Sequence, residues 1–301
     1  MALGNIWVTG YRGFTGTHML QLIGEVAPDA TVIGLGRSVS DETDVDVCFT
    51  LDLNNLDQVR RCAIDYPPDY VIHLAGAMPP GSEEQMWLDN VAATFSLLSG
   101  VFLAGSKRPR VLMVGSAAEY LVCESGDYCE SLPTGGQSPY GKSKSTQIDL
   151  ALLEAKALGI DLVVARPFNL IGPGLSENLF LGKVCQQLRQ GVEALNLGRI
   201  DSERDFVDIR DAVIAYWKIL MCGRPGQVYN VSTGVATRIE TVLDIAIQYS
   251  GRPIQINADT GFTKKGDFDR SCGDNTRISK ELGWSATYSL EESIVDMLEF
   301  D

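Results

Sequence analysis

The sequence predicts an α/β fold: a doubly wound parallel sheet with helices on both faces, joined to a smaller, chain-discontinuous α/β lobe. Three observations lead there. A glycine turn, Gly10-Tyr11-Arg12-Gly13-Phe14-Thr15-Gly16, follows directly on the apolar stretch Asn5–Thr9. Strand-length apolar runs then alternate with helix-length runs as far as Asn169, with no succession of strands. Finally, Tyr140 and Lys144 stand four residues apart at the head of one of those helices, 24 residues beyond Ser116 at a strand end.

Taken in order, Asn5–Thr9 reads as a buried strand, and a helix-like stretch, 17–26, follows the glycines. Strand, glycine turn and helix form the context of a dinucleotide-binding loop of Rossmann type. Gly10 allows the tight turn, Gly13 lets backbone approach a pyrophosphate, and Gly16 lets helix and strand pack closely. The helix N-terminus adds N–H groups and a positive dipole end. The second strand, 31–35, runs out at Gly36-Arg37. An acidic residue there would suit the 2′-hydroxyl of NAD, an arginine the 2′-phosphate of NADP. Arg37, with Arg12 able to converge on it, favours NADP and leaves NAD open.

Residues 45–49 lead to Asp52-Leu53, and 56–66 is an amphipathic helix broken by Pro67-Pro68. The next buried strand and its exit loop occupy 70–77. Small residues at 75–77 leave room for a flat cofactor at the carboxyl end of a strand, where such sheets bind ligands. His73 lies inside the strand and reads as a satisfied core histidine. A long helix over about 83–106 carries Asn90. Strand 110–115 ends at Ser116-Ala117-Ala118-Glu119-Tyr120. A helix at 139–158, a strand at 160–165 and the corner Arg166-Pro167-Phe168-Asn169 complete the alternation.

Beyond it, 170–181 is a loop rich in Gly, Pro and Asn, suited to substrate contacts. Helices are expected at about 181–189, 212–221, 239–250 and 290–299, with strands near 197–206 and at 228–231. The expected division is 1–169 with 207–232 for the dinucleotide domain, and 170–206 with 233–301 for the smaller lobe.

Composition narrows the partners. A formal net charge of −14 argues against a general nucleic-acid or anionic-membrane binder, which needs a basic face. With 45% hydrophobic and 21% charged residues over 301 positions, the chain is ordinary for a globular protein with a full core. Its seven cysteines are scattered, without a C-x-x-C pair, so reduced thiols and a cytoplasmic location are expected. Two histidines, His18 and His73, make a zinc site unexpected. No signal-peptide pattern and no apolar run of about 20 residues is read.

The chemistry centres on Ser138-Pro139-Tyr140-Gly141-Lys142-Ser143-Lys144. Side chains four apart share one helix face. A phenol has a pKa of about 10, and a cation held close brings it toward the working range. Tyr140 is thus a candidate proton donor and acceptor for a carbonyl or alcohol, Lys144 the cation, and Ser116 a hydroxyl that holds the carbonyl oxygen.

Together these residues resemble the extended short-chain dehydrogenase/reductase family, in its NAD(P)-dependent nucleotide-sugar epimerase/dehydratase branch. The resemblance rests on Gly10, Gly13 and Gly16, Asp52-Leu53, His73-Leu74-Ala75, Ser116, Tyr140 with Lys144, Arg166-Pro167-Phe168-Asn169 and Arg204-Asp205-Phe206-Val207-Asp208, spread over 6–232, with Leu282-Gly283-Trp284 in the tail. The stretches 197–206, 211–217 and 223–231 look most like GDP-4-keto-6-deoxymannose reductases and their relatives, the GDP-mannose 4,6-dehydratases.

The resemblance implies a cofactor site of Gly10, Arg12, Gly13, Phe14, Thr15, Gly16, Arg37, Asp52, Leu53, Leu74, Ala75, Gly76, Tyr140, Lys144, Pro167 and Asn169. Asp52 and Leu53 would flank the adenine, and Lys144 would also hold the nicotinamide ribose. It implies substrate contacts from Ala77, Ser116, Ala117, Ala118, Asn169, Asn178, Lys183, Arg204 and Arg270, the two arginines on phosphate. It further implies nucleotide binding by the smaller lobe, and a homodimer built through the helices near 83–106 and 139–158.

One position departs from the pattern. The dehydratases carry a glutamate two residues before the tyrosine matching Tyr120, where this chain has Ala118. Alanine cannot be a base, and Glu119, on an extended segment, would face the other way. The expected activity is therefore NAD(P)H-dependent reduction of a nucleotide-linked 4-keto-6-deoxyhexose, which the resemblance makes the GDP-linked one. The alternatives are an epimerase or 4,6-dehydratase that recycles its bound cofactor, or a dinucleotide-sensing protein without chemistry.

Overall fold

The computed structural model of the chain describes residues 3–38, 45–105, 107–258 and 269–300. Ser106, the expected end of the long helix, and part of the expected lobe, 259–268, lie outside these. In chain order the first elements are β1 (Asn5–Thr9), α1 (Phe14–Val26), β2 (Thr31–Gly36), β3 (Val47–Thr50), α2 (Leu56–Asp65) and β4 (Tyr70–His73). Next come α3 (Glu83–Met86), a π-helical turn (Trp87–Ala92), α4 (Ala93–Leu103), β5 (Arg110–Val114), a 3₁₀ turn (Ala117–Glu119), β6 (Asp127–Tyr128), α5 (Pro139–Leu158) and β7 (Asp161–Pro167). The remainder is β8 (Asn169–Ile171), α6 (Phe180–Arg189), β9 (Ala194–Leu197), β10 (Glu203–Asp208), α7 (Ile209–Cys222) and β11 (Val228–Val231), then β12 (Ala236–Arg238), α8 (Ile239–Ser250), β13 (Gln255–Ala258), β14 (Arg270–Gly273), α9 (Thr276–Leu282) and α10 (Leu290–Glu299).

A seven-stranded sheet runs β11-β7-β5-β4-β1-β2-β3. The pairings from β3 across to β7 are all parallel. Successive strands step one way from β1 to β3 and the other way from β4 to β7, so the order reverses between β1 and β4. Doubly wound sheets bind ligands at such a switch point, outside the carboxyl ends of the strands. The strands here read as continuous apolar runs because helices cover both faces. Trp7, Ile33, Val71, Val111, Met113, Leu162 and Val164 pack in one cluster with α2, α4 and α5 residues. On α2, Val59, Cys62 and Ala63 form the buried stripe, and Asn55 caps the helix by accepting the Gln58 N–H. Gly100 of α4 lies so close to Val59 that a Cβ there would meet its side chain at 2.7 Å.

The chain separates into two compact units. The first comprises Met1–Leu121, Pro133–Arg166 and Val213–Tyr229; the second comprises Val122–Leu132, Pro167–Ala212 and Asn230–Asp301. This differs from the expected division: Val122–Leu132 and residues 167–169, 207–212 and 230–232 fall in the second unit. In that unit β12, β10, β14 and β6 form a sheet, with β8 paired to β10, and β13 pairs with β9. Its core joins α6, α8 and α10 through Val184, Leu188, Val242, Leu243, Ile294 and Met297. Asp205 acts as a buried tie, accepting from Thr233 N and Oγ1, Gly234 N and Gly273 N at 2.7–3.2 Å.

The long helix expected over about 83–106 runs unbroken from Glu83 to Leu103, its ladder widening to a π turn at Trp87–Ala92, where Asn90 turns inward to bind Ala77. The run Glu83–Leu103 is also long and apolar enough to pass as a membrane span by length and composition, although none was read from the sequence; half of its most apolar window is buried within the protein. The short strands β6, β8, β12, β13 and β14 were not anticipated, since two to four residues carry no period of their own.

The closeness of α1 to the end of β1 yields a test. A Cβ on Gly16 would sit 2.4 Å from Gly10 O and 2.5 Å from the Tyr11 carbonyl carbon. Gly16→Ala should lower the unfolding free energy by about 1–3 kcal/mol through overpacking. A urea titration measures it, and an unchanged midpoint would show that the turn yields freely.

Candidate active site

At the switch point the first unit builds a cradle from backbone. Gly10 has φ of +67°, and a Cβ on it would meet Ala75 N at 2.8 Å, so only glycine fits. Gly13 closes the turn by donating to Gly10 O at 3.0 Å and stands as the N-cap of α1 without a side-chain cap. The first-turn N–H groups and the positive end of the helix dipole are thus presented to a ligand. Thr9 joins the two strands: its Oγ1 accepts from Leu74 N at 3.1 Å and Ala75 N at 3.0 Å. Gly76 and Ala77 follow, with Asn90 holding both the N–H and the carbonyl of Ala77. This shape fits a dinucleotide pyrophosphate: a backbone turn with no side chain in the way, opening on a helix start.

The flanking residues are less uniform. Arg12 donates to Ser38 Oγ at 2.8 Å, which puts its guanidinium at the end of β2. Arg37 pairs with Asp89 at 3.4 Å and is largely exposed. Asp52 folds a turn on itself, its Oδ1 accepting from Asn54 N at 3.0 Å. Leu53 packs against the core cluster. Phe14 meets His18 edge to face with centroids 5.6 Å apart, and Thr15 follows it in the first turn of α1.

Ser116 lies beside Tyr140, close enough for its hydroxyl to favour the ionised phenol. Ser116 follows β5 and caps the 3₁₀ turn, its Oγ accepting from Ala118 N at 3.2 Å. Tyr140 is held at the start of α5, where Ser138 caps the helix by accepting from Gly141 N and Pro139 takes the first position. Lys144 is buried on the same helix. Its Nζ donates to Val114 O at 2.7 Å and to Gln147 Oε1.

The electrostatics overturn the expected acidity. The Tyr140 phenol is pushed above its ordinary range, chiefly by burial and also by the Glu119 carboxylate, with the Ser116 hydroxyl opposing. The ammonium of Lys144 faces a strand carbonyl and an amide, and its own pKa falls to about 8 through burial, with Glu119 opposing.

Glu119 is not on an extended segment; it ends the 3₁₀ turn and points into the protein. Its Oε1 accepts from Ser116 N at 2.6 Å, and its Oε2 takes Arg166 Nε at 2.9 Å and Nη2 at 2.6 Å. Both side chains are buried, 0% and 4% exposed, and Arg166 lies 4.6 Å from the Tyr120 ring centroid. Ala117 and Ala118 form the rest of that turn. His73 is the core histidine expected, between Thr9 Oγ1 at 2.8 Å and Thr94 Oγ1 at 3.2 Å.

The other residues singled out belong to the second unit. Pro167 is buried, and Asn169 on β8 donates to Asp205 O at 2.9 Å. Asn178 and Lys183 are exposed, in the loop before α6 and on it. Arg204 and Arg270 do not form a pair. β10 and β14 align Glu203 with Arg270 and Arg204 with Ser271, which sends the two arginines to opposite faces. Arg270 is held by Glu203 at 2.8 Å and Asp127 at 2.9 Å, so two carboxylates occupy the guanidinium assigned to phosphate.

Several residues of the site were missed. Tyr11, an apparent spacer in the glycine turn, is buried against β2: a Cβ on Gly34 would meet its ring at 3.0 Å and one on Gly36 at 3.2 Å. Its hydroxyl lies 2.9 Å from Cys48 Sγ. The Gly34-x-Gly36 spacing was the available signal. Thr9, Thr94 and Gln147 carried none, because only the fold brings them together.

A family model described as NAD dependent epimerase/dehydratase family matches residues 6–232. Among relatives, a GDP-6-deoxy-D-mannose reductase from Pseudomonas aeruginosa is 28% identical over 302 residues, covering 96% of this chain and 94% of the relative. A dTDP-6-deoxy-L-talose 4-dehydrogenase (NAD(P)(+)) from Kitasatospora kifunensis is 28% identical over 307 residues, covering 98% and 95%. Among solved structures, RMD from Pseudomonas aeruginosa complexed with NADPH superposes with a TM-score of 0.84 at 26% identity, covering 98% of this chain and 97% of that one.

The buried histidine gives a pH test. Burial lowers the His73 pKa from 6.5 to about 3. Between those values the unfolded chain binds a proton that the folded one refuses. Stability therefore rises with pH across that window, and acidification removes about 1.4 kcal/mol per pH unit from this group. In urea titrations from pH 6.5 down to 4.5, His73→Gln should show a shallower slope than wild type. Equal slopes would contradict a neutral, buried imidazole.

Proposed function

Because the chain belongs to the NAD dependent epimerase/dehydratase family, we propose that it uses NADPH to reduce the ketone of a nucleotide-linked 4-keto-6-deoxyhexose, GDP-linked by preference. The observation that carries this reading is Ser116 capping, beside Tyr140, a turn that offers no base. Position 118 is alanine, and the turn's one carboxylate, Glu119, is locked onto Arg166. Removal of a proton next to the ketone, which dehydration requires, has no agent there.

A reduced nicotinamide, when bound, supplies the hydride to the carbonyl carbon. The chain's own residues handle the oxygen. Ser116 Oγ uses a lone pair on Ala118 N–H, leaving its hydrogen to position the carbonyl. Tyr140 gives its proton to that oxygen as negative charge develops there. The raised phenol pKa suits this direction, since it keeps the proton on Tyr140 until the oxygen becomes basic. Two of the three Lys144 ammonium hydrogens are engaged by Val114 and Gln147, and the third holds the nicotinamide ribose. Gly10, Gly13 and Gly16 with the start of α1 hold the pyrophosphate, and Arg12 and Arg37 favour the 2′-phosphate of NADPH. The second unit binds the nucleotide of the substrate, with Arg204 on its phosphate.

The names of the relatives support a 6-deoxy-hexose ketone, and the NADPH complex of one similar structure supports the cofactor. Tyr140→Phe should reduce turnover at least about a hundredfold while NADPH binding stays within a factor of two or so. Steady loss of reduced-nicotinamide absorbance, faster with NADPH than NADH, is expected with a GDP-4-keto-6-deoxyhexose. Turnover without net loss would point to a recycling epimerase instead.

We also propose a homodimer through α3, α4 and α5. Trp87, Phe95, Leu103 and Leu153 are large apolar residues exposed on this helical region, Leu153 at 66%. Sedimentation velocity should find a dimer that Phe95→Glu with Leu153→Glu converts to monomer; a monomeric wild type sinks the idea.

A further inference from the structure

A chain of buried polar side chains connects the end of β1 to Lys144. It runs from Thr9 on β1 to His73 on β4, Thr94 on α4 and Gln147 on α5. Each of Thr9, His73, Thr94 and Gln147 is at most 1% exposed. Unlike exposed polar pairs, such groups have no water to fall back on, so every donor and acceptor must be matched within the chain.

That condition fixes the direction of every bond. Thr94 has one hydroxyl hydrogen, and it goes to Asn90 O at 2.8 Å. Thr94 Oγ1 can therefore only accept from its other neighbours. His73 Nε2, 3.2 Å away, must carry the imidazole hydrogen. A neutral imidazole has one N–H, so Nδ1 is an acceptor, and the Thr9 hydroxyl donates to it at 2.8 Å. The lone pairs of Thr9 Oγ1 take the N–H groups of Leu74 and Ala75. Gln147 Nε2 must likewise donate to Thr94 Oγ1, at 2.9 Å, and also meets Met113 Sδ at 3.6 Å. Reversing the amide would aim its oxygen at a hydroxyl with no hydrogen left. The carbonyl oxygen of Gln147 is thereby turned toward Lys144 Nζ.

We propose that Gln147 is a positioning residue: its amide, oriented through Thr94, His73 and Thr9, aims the Lys144 ammonium and sets how strongly that ammonium holds its proton. The inference rests on the reading of Lys144 as the cofactor-holding lysine beside Tyr140. The groups that face Lys144 are few. Val114 O approaches from β5, Glu119 acts from the 3₁₀ turn with its charge partly offset by Arg166 of β7, neutral His73 lies on β4, and Tyr140 is on its own helix. Among these, Gln147 and Val114 alone are in hydrogen-bond contact with Nζ among the described residues. An amide dipole at one hydrogen bond from an otherwise desolvated ammonium favours the charged form.

The test reads Lys144 directly and needs no substrate. In ¹³C-lysine protein, the Lys144 Cε resonance is assigned by its loss in Lys144→Met and followed against pH. Wild type should titrate near pH 8. Gln147→Leu removes the acceptor and should lower the midpoint by about one unit, a tenfold change in the amine-to-ammonium ratio. Gln147→Glu places a carboxylate there and should raise it by at least as much. The pH profile of kcat should move with the midpoint, whereas a merely structural role would lower thermal stability and leave both in place. If Gln147→Leu does not fold, Gln147→Asn, too short to reach from Thr94 to Lys144, carries the same expectation. Midpoints within about 0.3 unit of wild type in folded variants overturn the proposal. The two readings fail separately: full turnover by Tyr140→Phe would remove the catalytic assignment without altering the Lys144 titration.

Discussion

The hydroxyl of Thr9 binds together the two strands between which the sheet reverses. It receives the N–H groups of Leu74 and Ala75 as they leave β4, and it gives its own hydrogen to His73. Each such bond contributes only about 1 kcal/mol net, yet without the hydroxyl the Ala75 N–H would lose its partner, at about 1–3 kcal/mol, while Leu74 N would keep only the Thr9 carbonyl at 3.3 Å. With the hydroxyl in place, Gly10 can pass within contact of Ala75 and the switch point stays clear of side chains. The cradle for a pyrophosphate is therefore a product of backbone packing, held by one side chain.

A second constraint is the buried ion pair behind Ser116 and Tyr140. Two Arg166 nitrogens donate to Glu119 Oε2 while Oε1 takes the Ser116 N–H, so the backbone that carries the Ser116 hydroxyl is anchored to the same carboxylate. Burying both charges brings little net stability, but removing one partner typically costs about 3–5 kcal/mol because the other is stranded. Its effect on chemistry is electrostatic. The carboxylate raises the affinity of both Tyr140 and Lys144 for protons. This favours a donor phenol over the acidic one that a neighbouring ammonium would create.

The second unit shows how register decides function. Its arginines come from β10 and β14, adjacent strands, yet a pairing of Glu203 with Arg270 separates Arg204 from Arg270 across the sheet. Asp127 and Glu203 then neutralise Arg270. An arginine engaged in this way braces the sheet, and its neighbour Arg204 lies on the opposite face. Register is invisible in a sequence where the pairing strand, β14, is four residues long.

Much of this protein was legible from sequence because it depends on local constraints. A left-handed backbone at residue 10 demands glycine, the apolar runs set strand and helix periods, and Pro139 with a serine cap starts α5 where read, Pro139–Leu158. Ser116, Tyr140 and Lys144 were identifiable by residue type and spacing. What spacing could not supply was direction. Helix periodicity puts Lys144 above Tyr140, but burial, the Val114 carbonyl and Gln147 decide where its charge is spent. Tyr11 drew no reading from the sequence, and its place is set by the two β2 glycines that make room for its ring. The sequence by itself determined the sheet, its glycine turn and the candidate side chains at residues 116, 140 and 144, since each follows from neighbours along the chain. Tertiary structure alone decided proton affinity, hydrogen-bond direction and which arginine is neutralised, because these depend on groups brought close from distant positions and on the water they exclude.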